Sequence, residues 1–249
     1  MRYFIELSYM GKAYCGWQRQ PDMPTVQQTL EFVISMLLGA ETSLTGAGRT
    51  DTGVNASFYV AHFDTQKPIE SIDQLVYKLN RTLPRDISVK RIYGVRSDAH
   101  ARFDAILRGY TYFIEPRKNA FTFDHTWQYF VELDVEKMNR AAKLLMEFDD
   151  FTSFAKLNSN NKTNICHITR AEWQVTEDGV LRFDIEANRF LRNMVRSIVG
   201  TLVDVGRGRY SVEDFRDIIA SKNLSKSSAG APAQGLYLSK IHYPDDIYI

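Results

Sequence analysis

Asp51 is the carboxylate in this chain best placed for chemistry, because glycines bracket it. It stands in the run Gly46-Ala47-Gly48-Arg49-Thr50-Asp51-Thr52-Gly53-Val54. Glycines allow positive φ and let the backbone approach another molecule closely. A carboxylate beside an arginine on such a loop is a common way to build a site that a flat, ring-shaped ligand can reach. The same residues are also ordinary turn formers, since Asp bonds its own backbone and Gly supplies the left-handed turn. No Gly-Lys-Ser/Thr follows, and the run is not Gly-x-Gly-x-x-Gly, so neither phosphate-loop pattern applies.

Cations and aromatics interleave elsewhere. Residues 10–24 carry Lys12, Tyr14, Trp17 and Arg19. Rings stack on bases and cations meet phosphates, which suits RNA; a loop whose Trp17 is simply buried fits the same residues. Between 187 and 209, Arg189, Arg192, Arg196, Arg207 and Arg209 meet a single acid, Asp204. Read as one helix, Leu191, Val195, Ile198 and Leu202 form its core stripe, with Arg189, Arg192 and Arg196 on a neighbouring stripe. Such a stripe is either a solvated edge or an anion-binding one. The basic stretch at Asn80, Arg81 and Arg85 reads as a solvated helix end.

The chain has 249 residues, 44% hydrophobic and 24% charged, the balance of an ordinary globular protein with one large domain or two small ones. A net charge of +1 excludes a histone-like binder, so any nucleic-acid surface must be a local patch. Cys15 and Cys166 stand far apart, no CxxC occurs, and the histidines show no ligand spacing. A reduced, cytoplasmic protein without a metal is expected. The alternating start, Met1-Arg2-Tyr3-Phe4-Ile5-Glu6, reads as a strand rather than a signal peptide. No uncharged apolar run reaches the about 20 residues that a membrane span takes, so no membrane partner is expected.

The elements that must position these residues follow from periodicity. Tyr3, Ile5, Leu7 and Tyr9 predict a first strand. Thr25 with Gln28 caps a helix carrying Val26, Leu30, Val33, Ile34 and Leu37, which Gly39 stops. Short strands are expected at 43–45 and 58–63, on either side of the Asp51 loop. Ser71 opens a second helix that Pro84 ends, and 87–93 and 105–115 read as strands. Residues 121–131 give no clear signal. Asp134 caps a third helix, and strands at 168–176 and 180–187 turn at Asp178-Gly179. Ser211 begins a further helix, residues 226–232 read as a flexible loop, and Leu236, Leu238 and Ile241 close the chain as a strand. Residues 158–164 are too polar to bury and read as a mobile surface loop. Strands and helices mix without strict alternation, which predicts an α+β fold with a largely antiparallel sheet.

Ala47-Gly48-Arg49-Thr50-Asp51-x-Gly53-Val54 resembles the signature of the TruA-type tRNA pseudouridine synthases. Further blocks follow in that family's order along nearly the whole chain. They are Gly16-Trp17-Gln18-Arg19-Gln20, His100-Ala101-Arg102-Phe103, Arg108-x-Tyr110-x-Tyr112, the stretch from Phe190 to Gly200, and Gly235-Leu236-Tyr237-Leu238. The resemblance implies a pseudouridine synthase fold: two α/β halves, 1–104 and 105–249, around a pseudo-twofold axis with a central cleft. The first half would carry the catalytic Asp loop, and the second the stacking tyrosine and the arginine-edged helix. It also implies a homodimer that isomerises uridines 38, 39 and 40 in the anticodon stem-loop of tRNA, without a cofactor.

That reaction cleaves the N1–C1′ bond, turns the base and bonds C5 to C1′. A carboxylate can stabilise or capture the electron-poor sugar carbon. The resemblance places this role on Asp51, and leaves open attack at C1′, attack at C6 or assistance to base departure. It pairs Arg196 with Asp51, an apt choice because arginine stays charged and forks onto a carboxylate. It assigns Arg49 to swinging the target nucleotide out, a step that costs a few kcal/mol. Tyr110 is the stacking tyrosine, with Tyr112 as its rival, and Leu236 lines the pocket. Arg189, Arg192, Lys12 and Arg19 are the expected phosphate contacts.

The sequence departs from the family pattern at Asn55, Gly109 and Ala99, where histidine, arginine and phenylalanine are usual. A catalytically inactive tRNA-binding module of the same fold is the alternative reading. A glycoside hydrolase would need a second carboxylate, and none partners Asp51 in the sequence.

Overall fold

A computed structural model describes residues 1–156 and 162–249. The polar stretch read as a mobile loop lies, at 158–161, outside the described residues. The chain divides into two compact units, Met1–Leu107 with Leu238–Ile249, and Arg108–Tyr237. The sequence division at 104/105 falls beside the first junction. The closing segment belongs with the first unit: Tyr243 donates its hydroxyl to Ala101 O and packs edge-on against Phe4, and Arg96 N–H bonds Ile247 O. Periodicity marks that segment as a strand but says nothing of its neighbours.

In the first unit, β1 (Arg2–Tyr9) lies between β3 (Asn55–Asp64) and β4 (Ile87–Val95), antiparallel to both. A two-residue strand, β2 (Thr45–Gly46), pairs with β3 just before the Asp51 loop. Simple alternation underestimates β1: Phe4 and Glu6, on the face opposite Tyr3 and Ile5, are buried as well. Phe4 meets His62, Tyr93 and Tyr243 there, so both faces of this central strand are covered. Helix α1 (Val26–Leu38) starts where the Thr25 hydroxyl accepts Gln28 N–H and ends at Gly39, whose φ of 67° is left-handed. Helix α2 (Ile72–Thr82), capped by Ser71, packs on α1 and on β4.

In the second unit, β5 (Leu107–Glu115) and β7 (Ile168–Val175) flank β8 (Leu181–Ala187), again antiparallel. The short β6 (Trp127–Gln128), in the stretch without a sequence signal, adds a parallel pair to β5. Trp173 and Phe183 stack at 4.8 Å across β7 and β8, and Asn139 on α3 (Val135–Leu144) bonds the Trp173 backbone twice. Helices α4 (Met194–Gly206) and α5 (Val212–Ala220) pack against α3. The outcome is the mixed α and β architecture with a mostly antiparallel sheet that the sequence predicts.

Two expectations are corrected. The arginine-edged helix over 187–209 does not form: α4 begins only at Met194. Asn193 takes φ 63°, a left-handed value that ends any helix running into it and that Asn tolerates. Asn188 is tied across to His167 through both its backbone N–H and its side chain, so Arg189 and Arg192 lie in the irregular approach to α4 and only Arg196 is helical. The loop at 226–232 is not free either. It is bonded along α4 at several points, described below.

Candidate active site

In the first unit the Asp51 loop is fixed from three sides. Asp51 O accepts Val54 N–H at 3.1 Å, closing a turn whose third residue, Gly53, has φ 77°. That left-handed value at this position of the turn calls for glycine. The Thr50 hydroxyl lies 2.9 Å from the Tyr9 hydroxyl and accepts Trp17 N–H at 3.1 Å. The Tyr59 hydroxyl donates to Gly48 O. Trp17 is 2% exposed and stacks on Tyr59 at 4.1 Å. Its ring is therefore part of the loop's foundation, which decides between the two readings of Trp17 left open by the sequence.

The turn after β1 closes against the same loop. A Cβ at Gly16 would stand 2.2 Å from Thr50 O, and one at Gly11 2.2 Å from Val54 O. Backbone can approach backbone this closely only where side chains are missing. Asn55 is buried, and its Oδ1 accepts Gly11 N–H at 2.7 Å. The residue that departs from the family's histidine thus ties the two loops together. Asp51 is left half-buried and Arg49 exposed, with no hydrogen bond or ion pair to the Arg49 guanidinium among the described residues. Lys12 is exposed on the short helical turn Gly11–Ala13. Arg19 already leans on the buried Glu31 carboxylate at 3.7 Å.

The His100-Ala101-Arg102-Phe103 block folds as a tight turn. His100 Nδ1 accepts the amides of Arg102 and Phe103, and His62 Nδ1 accepts Ala101 N–H at 3.1 Å. Burial, with the charges of Arg2 and His100, pulls the His62 pKa down to about 4.

In the second unit Tyr110 and Tyr112 share a face of β5 but differ in fate. Tyr112 is 0% exposed, and its hydroxyl donates to Pro232 O at 2.8 Å. Burial pushes that hydroxyl's pKa well up, against the opposing charge of Arg196. Tyr110 is half-buried and meets Phe190 edge-on at 5.2 Å. Tyr112 is thus a core residue with a committed hydroxyl, and Tyr110 is the less buried of the two. Leu236, at the start of β9 (Leu236–His242), is 5% exposed. Gly235 before it lies so close to Tyr112 that a Cβ would stand 2.7 Å from the ring.

Arg196 sits in the first turns of α4. Its Nε donates to Ala231 O at 2.6 Å, and its own carbonyl accepts Ala231 N–H at 2.9 Å. Its two terminal nitrogens carry no hydrogen bond among the described residues. Arg192 is exposed and Arg189 half-buried near Cys166, whose thiol burial pushes up to about 11. Among the described residues, no group of His, Cys, Asp and Glu could hold a metal ion, and no helix is long and apolar enough to cross a membrane.

A family model described as tRNA pseudouridine synthase matches residues 7–104 and 141–244, most of the chain. The chain belongs to the tRNA pseudouridine synthase family. Curated relatives are similar over nearly their whole length. The tRNA pseudouridine synthase A of Bacteroides thetaiotaomicron is 48% identical over 249 residues, covering 99% of this chain and 92% of the relative. That of Porphyromonas gingivalis is 48% identical over 251 residues, covering 100% and 99%. A more distant one, from Dictyoglomus thermophilum, is 39% identical over 242 residues, covering 96% and 98%. As a tRNA pseudouridine synthase the chain is an isomerase that turns uridine into pseudouridine in tRNA. The sequence missed what supports the loop: Tyr9 and Tyr59 read only as strand residues and Thr50 only as motif, because a hydroxyl's partner across β-strands leaves no local signal.

Proposed function

We propose that this enzyme acts on uridines 38, 39 and 40 in the anticodon stem-loop of tRNA, with Asp51 as its catalytic carboxylate. The observation that carries the reading is the Asp51 loop itself, braced by Tyr9, Trp17, Tyr59 and Asn55 yet leaving Asp51 half-buried and Arg49 free to reach outward. Rigid support beneath an accessible carboxylate is what positioned catalysis requires, since geometry is fixed before substrate arrives.

In this reading Asp51 stabilises or captures C1′ as the N1–C1′ bond breaks. The base turns, C5 bonds to C1′, N1 gains a proton and C5 loses one. Nothing is oxidised or added, so no cofactor takes part. Arg196 is the partner the resemblance gives to Asp51, apt because a guanidinium stays charged and forks onto a carboxylate. Tyr110 stacks on the uracil, Leu236 lines its pocket, and Arg49 holds the nucleotide swung out of the stem. Arg189, Arg192, Lys12 and Arg19 meet phosphates, and the enzyme works as a cytoplasmic homodimer.

The test is tritium release from C5-labelled uridine in an unmodified tRNA, comparing wild type with Asp51→Asn. Release by wild type alone supports the reading. Equal release by both would move the chemistry away from Asp51. Release by neither, with tRNA still bound, would favour an inactive binding module.

A further inference from the structure

Residues 227–232 run as a strap over α4, bonded to it at successive turns. The Ser227 and Ser197 hydroxyls lie 3.3 Å apart. Ser228 N–H donates to the Thr201 hydroxyl at 3.2 Å, and the Ser228 hydroxyl donates to Asp204 Oδ2 at 2.5 Å. Ser197, Thr201 and Asp204 are one stripe of the helix, at i, i+4 and i+7. Gly200, on the same side, has no Cβ because one would stand 2.2 Å from Ala229 O. The strap ends where Ala231 exchanges two hydrogen bonds with Arg196 and Pro232 O accepts the Tyr112 hydroxyl.

Asp204 is the fixed point of this arrangement. It is 6% exposed and is charged against Arg207 at 2.7 Å and Arg209 at 3.0 Å, with Ser228 as a further donor. Hydrogen bonds to an ionised group are stronger than neutral ones. The anchor therefore lies in the last turn of α4, whereas the group it steers, the Arg196 guanidinium, lies in its first. Only Ala229 and Gly230 separate Ser228 from Ala231, and Ala229 O is packed against Gly200, so the position of Ser228 sets where Ala231 O stands. Ala231 O in turn sets the direction of Nε and the aim of the two remaining nitrogens.

We propose that Ser228, through its bond to Asp204, is a positioning residue for the isomerisation, acting by aiming the Arg196 guanidinium. This rests on the reading that Arg196 belongs to the reacting site. Small misplacements of such groups cost about 10- to 100-fold in rate.

The experiment is a double-mutant cycle on single-turnover pseudouridine formation, with tRNA affinity measured in parallel. Ser228→Ala is expected to slow the single-turnover rate about tenfold with affinity unchanged, and Ser228→Thr, which keeps the hydroxyl, to restore it. Thr201→Val, which removes the neighbouring anchor, should act in the same direction. Arg196→Ala should be slower still, and adding Ser228→Ala to it should cost nothing more. If Ser228→Ala and Thr201→Val both run at the wild-type rate, or if Ser228→Ala slows the Arg196→Ala enzyme by its full factor, the strap does not act through Arg196. If Arg196→Ala itself runs at the wild-type rate, the reading of Arg196 fails, and the inference with it.

Discussion

The hydroxyls of Tyr9 and Thr50 lie 2.9 Å apart, joining the last residue of β1 to the residue before Asp51. Thr50 also accepts Trp17 N–H, so one hydroxyl group holds two segments at once. Thr50→Val keeps the shape and leaves that amide without its acceptor. An unsatisfied buried donor costs about 1–3 kcal/mol. We expect a fall in Tm of roughly 2–12 °C by calorimetry. At temperatures where the variant is folded, turnover should fall while tRNA affinity holds. Equal loss of affinity would show that the loop serves binding rather than chemistry.

Asn55→Ala should be a stability mutation with a catalytic cost. Asn55 Oδ1 is the acceptor for Gly11 N–H in a buried setting, and the amide cannot turn to solvent. Urea unfolding should show a loss of about 1–3 kcal/mol. Asn55→Asp keeps an acceptor oxygen but buries a carboxylate, so it should lose stability as well. If both variants match wild type, the tie between the two loops contributes nothing.

Acid should weaken the first unit through His62. Its folded pKa is about 4, below the ordinary 6.5, so the unfolded chain binds more protons between those values. Stability therefore falls as pH drops from about 6.5 towards 4, and the His62 contribution changes no further below that. The shift corresponds to about 3 kcal/mol. His62→Gln should flatten this part of the stability–pH curve measured by urea titration. An unchanged curve would assign the acid loss to other groups.

Two glycines of α4 should respond differently to alanine. At Gly200 the new Cβ would stand 2.2 Å from a backbone oxygen of the strap, which cannot move without breaking its anchors. At Gly206 it would meet the Met138 thioether at 2.5 Å, the pliable end of a side chain. Gly200→Ala should therefore lower both Tm and turnover, and Gly206→Ala chiefly Tm, by a smaller amount. Comparable turnover in the two would show that the strap's position does not matter to the reaction.

Arg192, exposed in the approach to α4, is proposed to meet a phosphate. Arg192→Ala should weaken tRNA binding and reduce the slope of log affinity against log salt by about 0.7–0.9, the release of one counterion. An unchanged slope would place this residue away from RNA.

The sequence alone determined the start of most elements and the identity of the key loop. Thr25, Ser71, Asp134 and Ser211 each cap the helix their spacing announces, because capping is a bond between near neighbours. Family membership was legible for a similar reason, as short motifs kept their order along the chain. Tertiary structure decided what depends on distant partners. It broke the supposed arginine-edged helix at Asn193, whose left-handed backbone goes with the pinning of Asn188 to His167. It buried Trp17 under the Asp51 loop and sank Tyr112 beneath Pro232, while Tyr110 stays half-buried against Phe190. It also turned a serine- and glycine-rich stretch, flexible by composition, into a strap held along α4. Composition reports what a segment does when nothing touches it, and here Asp204, Thr201 and Arg196 reach it from a helix that lies more than twenty residues away in sequence.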